Sequence, residues 1–402
     1  MHILVYADGH SAITRRWLES VQACGHQITL VTSFPCEPPS GLAGFHYLPV
    51  AFSSKTGKTA SPGKSSRAGL TRRFISTFRG GLLALRYQLG PASVRAASNR
   101  FQNLVRQINP DLVHALRIPF EGMLASFTPE EYPLVVSIWG NDLTLHAPRT
   151  AAMGRLTRQT LQRVDGMHAD AARDLRLAKD WGFAPDRPQL LVPTNGGIDL
   201  EMVLNRGQAL PPELDAKIPT NTPLIINPRG VRTYTRTDTF FQSLPLIFER
   251  KPEVTVLCPS MAGQSEAENW YQRLNQDKRI VLLPWLSQEQ LWALFSRSMI
   301  SLSITTHDGT PNTLLEAMSC GSYPIAGDIE AIREWIKPGE NGTLVDPGNP
   351  AAVAEAVLQA LDNEQIRSRA AYLNLEMVRE RAEVRQIRPK IDAFYRQVAK
   401  VR

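Results

Sequence analysis

Short apolar runs separated by amphipathic stretches recur along the chain. Residues 2–7, Gln27 to Thr32, Leu134 to Ile138, Leu224 to Asn227, Val254 to Leu257 and Ile300 to Ile304 read as strands, and another opens at Tyr323. Ser11 is the expected cap of a helix that runs to Cys24 and is closed by Gly25, so the chain opens β–α–β. Further helices are expected from Gln288 to Ser296 and from Pro350 onward. Ile387 to Val401 is a basic amphipathic last segment.

The stretch from Ser303 to Ala326 organises the chain. A strand ends, the backbone turns at Asp308-Gly309-Thr310-Pro311, and a short helix follows. Asn312 is its expected N-cap, Leu314, Leu315 and Met318 form its inner face, and Gly321 ends it. A strand, a Gly-containing loop and a helix N-terminus make an anion site, because free backbone N–H groups and the positive end of the helix dipole point into the loop. Two carboxylates flank it, Asp308 and Glu316. The loop after the first strand, Asp8-Gly9-His10, has one glycine where a dinucleotide fingerprint needs three, which argues against a nicotinamide enzyme.

At 402 residues the chain exceeds a usual single core, so two domains are expected. A hydrophobic content of 43 % and a charged content of 21 % belong to a soluble globular protein. Cys24, Cys36, Cys258 and Cys320 are scattered, without metal-ligand spacing or a disulfide framework, which fits a reducing cytoplasm. No signal peptide is read at the N-terminus, and no run is long enough to span a membrane. The net charge of +7 is regional: between Pro38 and Pro110 lie 11 Lys or Arg and no Asp or Glu. Within that region residues 51–68 are Ser/Gly/Lys-rich and expected to be mobile. A basic helical stretch follows, whose apolar residues either pack on the domain or lie in a lipid interface beside anionic head groups. No nucleic-acid module or aromatic platform is evident, so no nucleic-acid partner is expected.

The string Asp308-Gly-Thr-Pro-Asn-Thr-Leu-Leu-Glu316-Ala-Met-Ser-Cys-Gly-Ser-Tyr-Pro324 resembles the signature of retaining GT-B glycosyltransferases of the GT4 type, also called group 1. Two features depart from that signature: the first acid is usually Glu, and one extra residue separates Gly321 from Pro324. Asn109-Pro-Asp-Leu-Val-His114, Val164-Asp-Gly-Met-His-Ala-Asp170 and the Pro193-Thr-Asn-Gly-Gly-Ile-Asp199 turn are also similar to family segments. So is Trp139-Gly140-Asn141-Asp142, where several relatives carry His in place of Trp139.

The resemblance implies an α/β GT-B fold, two Rossmann-like domains facing a central cleft. The first would span 1–204, with a C-terminal helix at about 383–402 packing back on it; 205–223 would link it to a nucleotide-sugar donor domain at 224–382. Arg229 and Arg236 would meet the donor diphosphate, Arg236 standing one step beyond the position where relatives have Lys and Arg232 lying near. Backbone N–H groups across Gly309, Thr310, Pro311, Asn312 and Thr313 would assist, excepting proline. Glu316 would bind the ribose and Asp308 the donor sugar. Trp285 either stacks on the base or packs in a core. Gly9, His10, Asp142 and His146 are the acceptor-side candidates, and Asp142, Asp308, Glu316 and Arg229 the catalytic ones.

Implied further is a metal-independent, retaining transfer to an acceptor hydroxyl, with the nucleotide sugar as co-substrate and no cofactor. Positive charge at the leaving phosphate would replace a metal, and the chain has no Asp-X-Asp motif. The sequence leaves the donor open among UDP, GDP and ADP sugars, and the acceptor open among glycans, lipid-linked compounds and small molecules. An anionic membrane surface is a further partner through residues 51–106, at the inner face of the plasma membrane. Two other readings of the same residues are a GT-B relative that has lost transfer and serves as a membrane-surface binding subunit, and a GT-B phosphorylase or nucleotide-sugar hydrolase.

Overall fold

A computed structural model of the chain describes residues 1–51, 69–205 and 210–400, and the side chains of all of these except 69–85. The stretch expected to be mobile falls, from Phe52 to Ala68, outside the described residues. Contacts divide the chain into two compact units. Unit 1 is Met1–Gly196 with Arg388–Arg402, and unit 2 is Gly197–Ile387.

Unit 1 is built on strands β1 (His2–Ala7), β2 (Gln27–Thr32), β3 (Gly44–Tyr47), β4 (Leu112–Ala115), β5 (Leu134–Ile138), β6 (Gly166–Ala169) and β7 (Gln189–Leu191). They pair in parallel in the order β3-β2-β1-β4-β5-β6-β7. The principal helices are α1 (Ala12–Ala23), α2 (Gly69–Ile108), α3 (Ala151–Arg163) and α4 (Ala172–Asp180). Ile3, Leu4, Val5 and Tyr6 are all fully buried. An unbroken apolar run of this kind belongs to a parallel sheet covered on both faces, since crossover helices must pack on each side. Ser11 holds the N-cap position of α1 without a side-chain cap bond.

Two buried histidines interrupt the apolar strands, His114 on β4 and His168 on β6. Their hydrogen bonds form a chain with one possible direction. His168 Nε2 lies 3.0 Å from Val192 O, a carbonyl that only accepts, so Nε2 carries the proton. Its Nδ1 therefore accepts from Ser137 Oγ at 2.7 Å. Ser137 then accepts from His114 Nε2 at 2.9 Å, and His114 Nδ1 accepts from Tyr395 OH at 2.7 Å. Trp17 Nε1 donates into Tyr395 OH at 3.0 Å. Both imidazoles are neutral, their pKa values lowered by burial, that of His168 to about 4. Tyr395 stands on the last helix, Val384–Ala399, so this chain ties the end of the protein into the core of unit 1.

Unit 2 is built on β8 (Leu224–Ile226), β9 (Thr255–Cys258), β10 (Ile280–Leu282), β11 (Ile300–Ser303), β12 (Tyr323–Gly327) and β13 (Thr343–Val345), all parallel, in the order β10-β9-β8-β11-β12-β13. Its principal helices are α5 (Thr237–Arg250), α6 (Ser265–Arg273), α7 (Gln288–Arg297), α8 (Asn312–Ser319), α9 (Pro350–Asp362) and α10 (Glu364–Arg381), and α11 (Val384–Ala399) follows. Leu210, Leu214 and Ile218, within the stretch expected to link the domains, are buried in the core of unit 2. The Asn195-Gly196-Gly197 turn has a structural cause. Gly196 and Gly197 take φ of +76° and +105°, and an added Cβ would stand 2.6 Å from Ser20 Oγ and 2.7 Å from Ala382 O respectively.

Candidate functional site

Each sheet changes its direction of strand addition once. In unit 2 this occurs between β8 and β11, with β9 and β10 on one side and β12 and β13 on the other. Ligands in open parallel sheets bind beyond the carboxyl ends of the strands at such a point. The chain leaves β8 through Asn227, whose Oδ1 accepts from Arg229 N–H at 3.2 Å. Gly230, at φ +61°, turns it back. Arg229 then meets the loop after β11: its Nη2 lies 2.5 Å from Asp308 Oδ2 and its Nη1 3.3 Å from Thr313 Oγ1. Arg229 and Asp308 come from opposite sides of the switch point and are 79 residues apart.

The helix after this loop starts differently from the expectation. Pro311, extended at φ −69° and ψ 126°, holds the N-cap position, and Asn312 is the first helical residue. Proline's restricted φ sets this entry, and the Asn312 side chain makes no cap bond; its Oδ1 is buried without a partner. The first-turn N–H groups of Asn312 and Thr313 have no intrahelical carbonyl to reach. The loop itself is held by Trp335 Nε1, which donates to Thr310 Oγ1 at 2.9 Å, with Gly309, Thr310 and Pro311 all buried.

Glu316 lies in the middle of α8, only 4 % exposed, and accepts from Gln288 Nε2 at 2.6 Å. Gln288 is the first residue of α7, which a capping box between Ser287 and Gln290 fixes in place. Arg236 precedes α5, and its N–H donates to Ile304 O at 2.9 Å, which brings it beside the end of β11. Its guanidinium forms a two-pronged pair with Asp238 at 2.9 and 2.8 Å, and that hydrogen bonding raises its pKa. Trp285 is 78 % exposed, so the core-packing reading is wrong for it. Its ring stands in solvent because Leu283 and Leu286 supply the buried side chains of that loop.

In unit 1 the corresponding switch point lies between β1 and β4. A pocket of about 190 Å³ opens there, lined by Ala7 at the end of β1 and Asp8 just after it, the N-cap Ser11 and Thr14 at the start of α1, and Arg117, Glu121, Trp139 and His146 from the segments after β4 and β5. Arg86 and Tyr87 of α2 close one side. Gly90, one turn further on the same face, lets that helix approach: a Cβ there would lie 2.3 Å from the Phe120 ring.

The acceptor-side candidates separate in this frame. Asp142 is fully buried and is not among the pocket-lining residues; it accepts from Arg117 Nε at 3.0 Å and from the N–H groups of Ile118 and Trp139, both at 3.1 Å. It therefore positions Arg117 and the two strand ends. His10 is exposed, and neither it nor Gly9 lines the pocket. His146 does. Its Nε2 lies 2.8 Å from Arg117 Nη2 and its Nδ1 2.5 Å from Tyr87 OH. Arg117 only donates, so Nε2 is unprotonated and Nδ1 carries the hydrogen. Burial, then the cations Arg117 and Arg86, hold His146 down at about 3, so it is neutral.

Arg86, Tyr87, Arg117, Glu121 and Gln288 were not among the sequence candidates. Arg117 and Glu121 lie in the segment that follows β4, and the rule that open sheets bind ligands at strand ends is a signal that reaches them. Arg86 had no such mark; it stood among the 11 basic residues of one region.

Two family models match the chain: "Glycosyl transferase 4-like domain" over residues 8–194 and "Glycosyl transferases group 1" over residues 215–374. A D-inositol 3-phosphate glycosyltransferase of Corynebacterium glutamicum is 22 % identical over 233 residues, 55 % of this chain and 55 % of that protein. Among the first curated relatives the matched part spans between 18 % and 55 % of the relative's own length. Sucrose-phosphate synthase from Thermosynechococcus elongatus superposes with a TM-score of 0.72 at 15 % identity, covering 100 % of both chains. The Anabaena HepE protein in complex with UDP-glucose superposes with a TM-score of 0.63 at 15 % identity, covering 100 % of this chain and 99 % of that one. At such identities these likenesses speak for the fold alone, an α/β GT-B architecture with two parallel sheets. With its signature loop at one switch point and both family models matched, the chain belongs to the group 1, GT4-type glycosyltransferases.

Proposed function

We propose that the chain transfers a sugar from a nucleotide-sugar donor to an acceptor hydroxyl, with retention of anomeric configuration and without a metal ion. The observation that carries this reading is the convergence of Arg229, Asp308, Thr313 and buried Glu316 at the β8/β11 switch point, beside the N-terminal turn of α8. The donor diphosphate takes the Arg229 guanidinium and the free N–H groups of that turn, with Arg236 as a second cation. Glu316 accepts from the ribose hydroxyls, and Asp308 from those of the donor sugar. Asp308 holds Arg229, so a donor that takes the guanidinium exchanges one charge-assisted contact for another.

The acceptor oxygen forms its bond to the anomeric carbon on the face from which the phosphate leaves. The bond from that carbon to the phosphate oxygen breaks, its electron pair goes to the nucleoside diphosphate, and the acceptor proton passes to a phosphate oxygen. Negative charge builds on the leaving group, and the fixed guanidinium and N–H dipoles stabilise it where it develops.

The Anabaena neighbour's UDP-glucose makes uridine the first nucleotide to test. Thermal unfolding with UDP, GDP and ADP tests donor binding directly. A nucleotide near 100 times its Kd raises stability by roughly 2.7 kcal/mol in the wild type, and Glu316→Ala removes most of that shift. No shift with any nucleotide would sink the reading. The anomer of the product, read by NMR, tests retention, and transfer surviving a chelator tests metal independence.

We also propose that the basic segment 51–106 meets an anionic membrane surface on the cytoplasmic side through cations other than the pocket residue Arg86, on its charge of 11 cations and no acids. Among the described residues no helix is long and apolar enough to cross a membrane. Sedimentation with anionic but not zwitterionic vesicles, weakened by salt, is the expected result.

A further inference from the structure

The pocket of unit 1 contains a cation, Arg86, that makes no ion pair among the described residues. Arg86 packs its guanidinium 4.7 Å from the centre of the Phe120 ring and 5.9 Å from that of Phe34. Among the described residues it makes no hydrogen bond or ion pair, and its Nε is shut off from solvent without a partner. The nearby acids make no hydrogen bond to it and act only from a distance. Asp142 is spent on Arg117, Glu121 is bonded to Ser33 Oγ at 2.6 Å, and Asp8 accepts from the N–H of His10 at 2.9 Å. Burial works against the charged form of Arg86, Glu121 opposes that from a distance, Arg117 adds to it, and Asp8 gives a smaller opposing effect. A guanidinium taken out of water without an acceptor is costly, and five donors in a rigid fork fit a planar or tetrahedral oxyanion.

Two independent features point the same way. Thr14, fully buried in the first turn of the 12-residue helix α1, is among the residues that line this pocket, and its hydroxyl has no hydrogen-bond partner. The N-cap Ser11 leaves that turn without a side-chain cap, so its N–H groups are free to meet an anion. Phe120, which supports the guanidinium, is held at φ +69° and ψ −55°, a conformation that non-glycine residues rarely take and that gathers at ligand sites.

We propose that this pocket takes an acceptor bearing one phosphate or carboxylate beside its hydroxyls, with the anion seated on Arg86 and the first turn of α1. The hydroxylated body lies against Tyr87, Trp139 and neutral His146. This rests on the transferase reading, which it sharpens by giving the acceptor a charge.

The test is calorimetric titration of the full chain with glucose 6-phosphate, glycerol 3-phosphate, inositol 1-phosphate and gluconate, and with the neutral parents glucose, glycerol and inositol. At least one anion binds, and its neutral parent binds more than about tenfold more weakly. Arg86→Gln lowers the anion's affinity by about tenfold or more, Arg86→Lys by less because it keeps the charge and loses the fork, and Thr14→Val by a few-fold. Dihexanoylphosphatidic acid beside glycerol 3-phosphate tells a lipid-borne anion from a free one; tighter binding of the former names the lipid source.

UDP, GDP and ADP titrated into the same variants keep their wild-type affinities, which also shows that Arg86→Gln is folded. Equal binding of neutral parents, no binding of any anion, or an Arg86→Gln variant with wild-type anion affinity overturns the proposal. So does loss of nucleotide binding in Arg86→Gln, which would give Arg86 to the donor phosphate. A wild type that binds anions through Arg86 but no nucleotide separates failure of the transferase reading from failure of the anion site.

Discussion

Unit 1 holds two polar clusters of similar make-up and opposite meaning. In the core, Trp17, Tyr395, His114, Ser137 and His168 pass one direction of hydrogen bonds from an indole N–H to the Val192 carbonyl, and each bonds along the chain. At the sheet's carboxyl edge, Arg86 and Thr14 hold buried polar atoms that nothing meets. Both clusters contain buried groups of shifted pKa, so neither burial nor shift tells function from structure. Satisfaction does. A closed chain has no capacity left for a ligand, whereas an unpartnered buried donor is an expense that a ligand removes. The unit 2 site falls between the two: Arg229 is paired, but to the carboxylate of another candidate site residue, so its pairing is exchangeable.

The largest expected effect separates the exchangeable site from the closed chain. Arg229→Ala and Glu316→Ala lower transfer by roughly 10²-fold or more, the scale of losing one preorganised donor or acceptor at developing charge. Steady-state kinetics checks this, and both variants keep a near-wild-type melting temperature if the pair is functional and not structural.

Breaking the closed chain does the reverse. Tyr395→Phe leaves Trp17 Nε1–H and His114 Nδ1 without partners, and at about 1–3 kcal/mol for each buried group the protein loses roughly 2–6 kcal/mol of stability. Denaturant unfolding measures it, with activity per folded molecule little changed.

The same chain sets an acid limit. His168 is held at about 4, below its ordinary 6.5, so the unfolded chain binds the proton first. Its contribution is complete above about pH 6.5 and is lost as pH falls through that value towards 4. At about 1.4 kcal/mol per pH unit this amounts to about 3 kcal/mol. His114 adds in the same direction. His168→Gln should flatten the slope of stability against pH between 4 and 6.5, and an unchanged slope would count against the neutral chain.

The smallest effect is expected at Arg236. Its pair with Asp238 is part-exposed, so Arg236→Ala changes stability by no more than about 1 kcal/mol. A several-fold rise in donor KM with little change in kcat would still mark it as a phosphate contact.

Much of this protein was legible in one dimension. The apolar runs placed β1, β2, β5, β11 and β12 within a residue or so, because strands buried on both faces write themselves as continuous apolar sequence. Arg229, Asp308 and Glu316 were legible because loop, turn and helix face follow each other in a fixed local order. Asn312 was misplaced by one position: Asn is a good cap, but the proline before it had already set the extended entry. His146 and Asp142 could be named but not told apart, since one lines a pocket and the other is fully enclosed. Thr14 carried no sequence signal, and Arg86 only that of a basic region.

The sequence by itself therefore determined the two parallel sheets, the family signature and the charged side chains of the loop after β11, all of which depend on residues near each other in the chain. Only the tertiary structure decided which polar groups are satisfied. Whether Arg86, Thr14 or His114 finds a partner depends on neighbours brought together from distant segments. Tyr395 reaches His114 across 281 residues, whereas among the described residues no acceptor reaches Arg86 Nε.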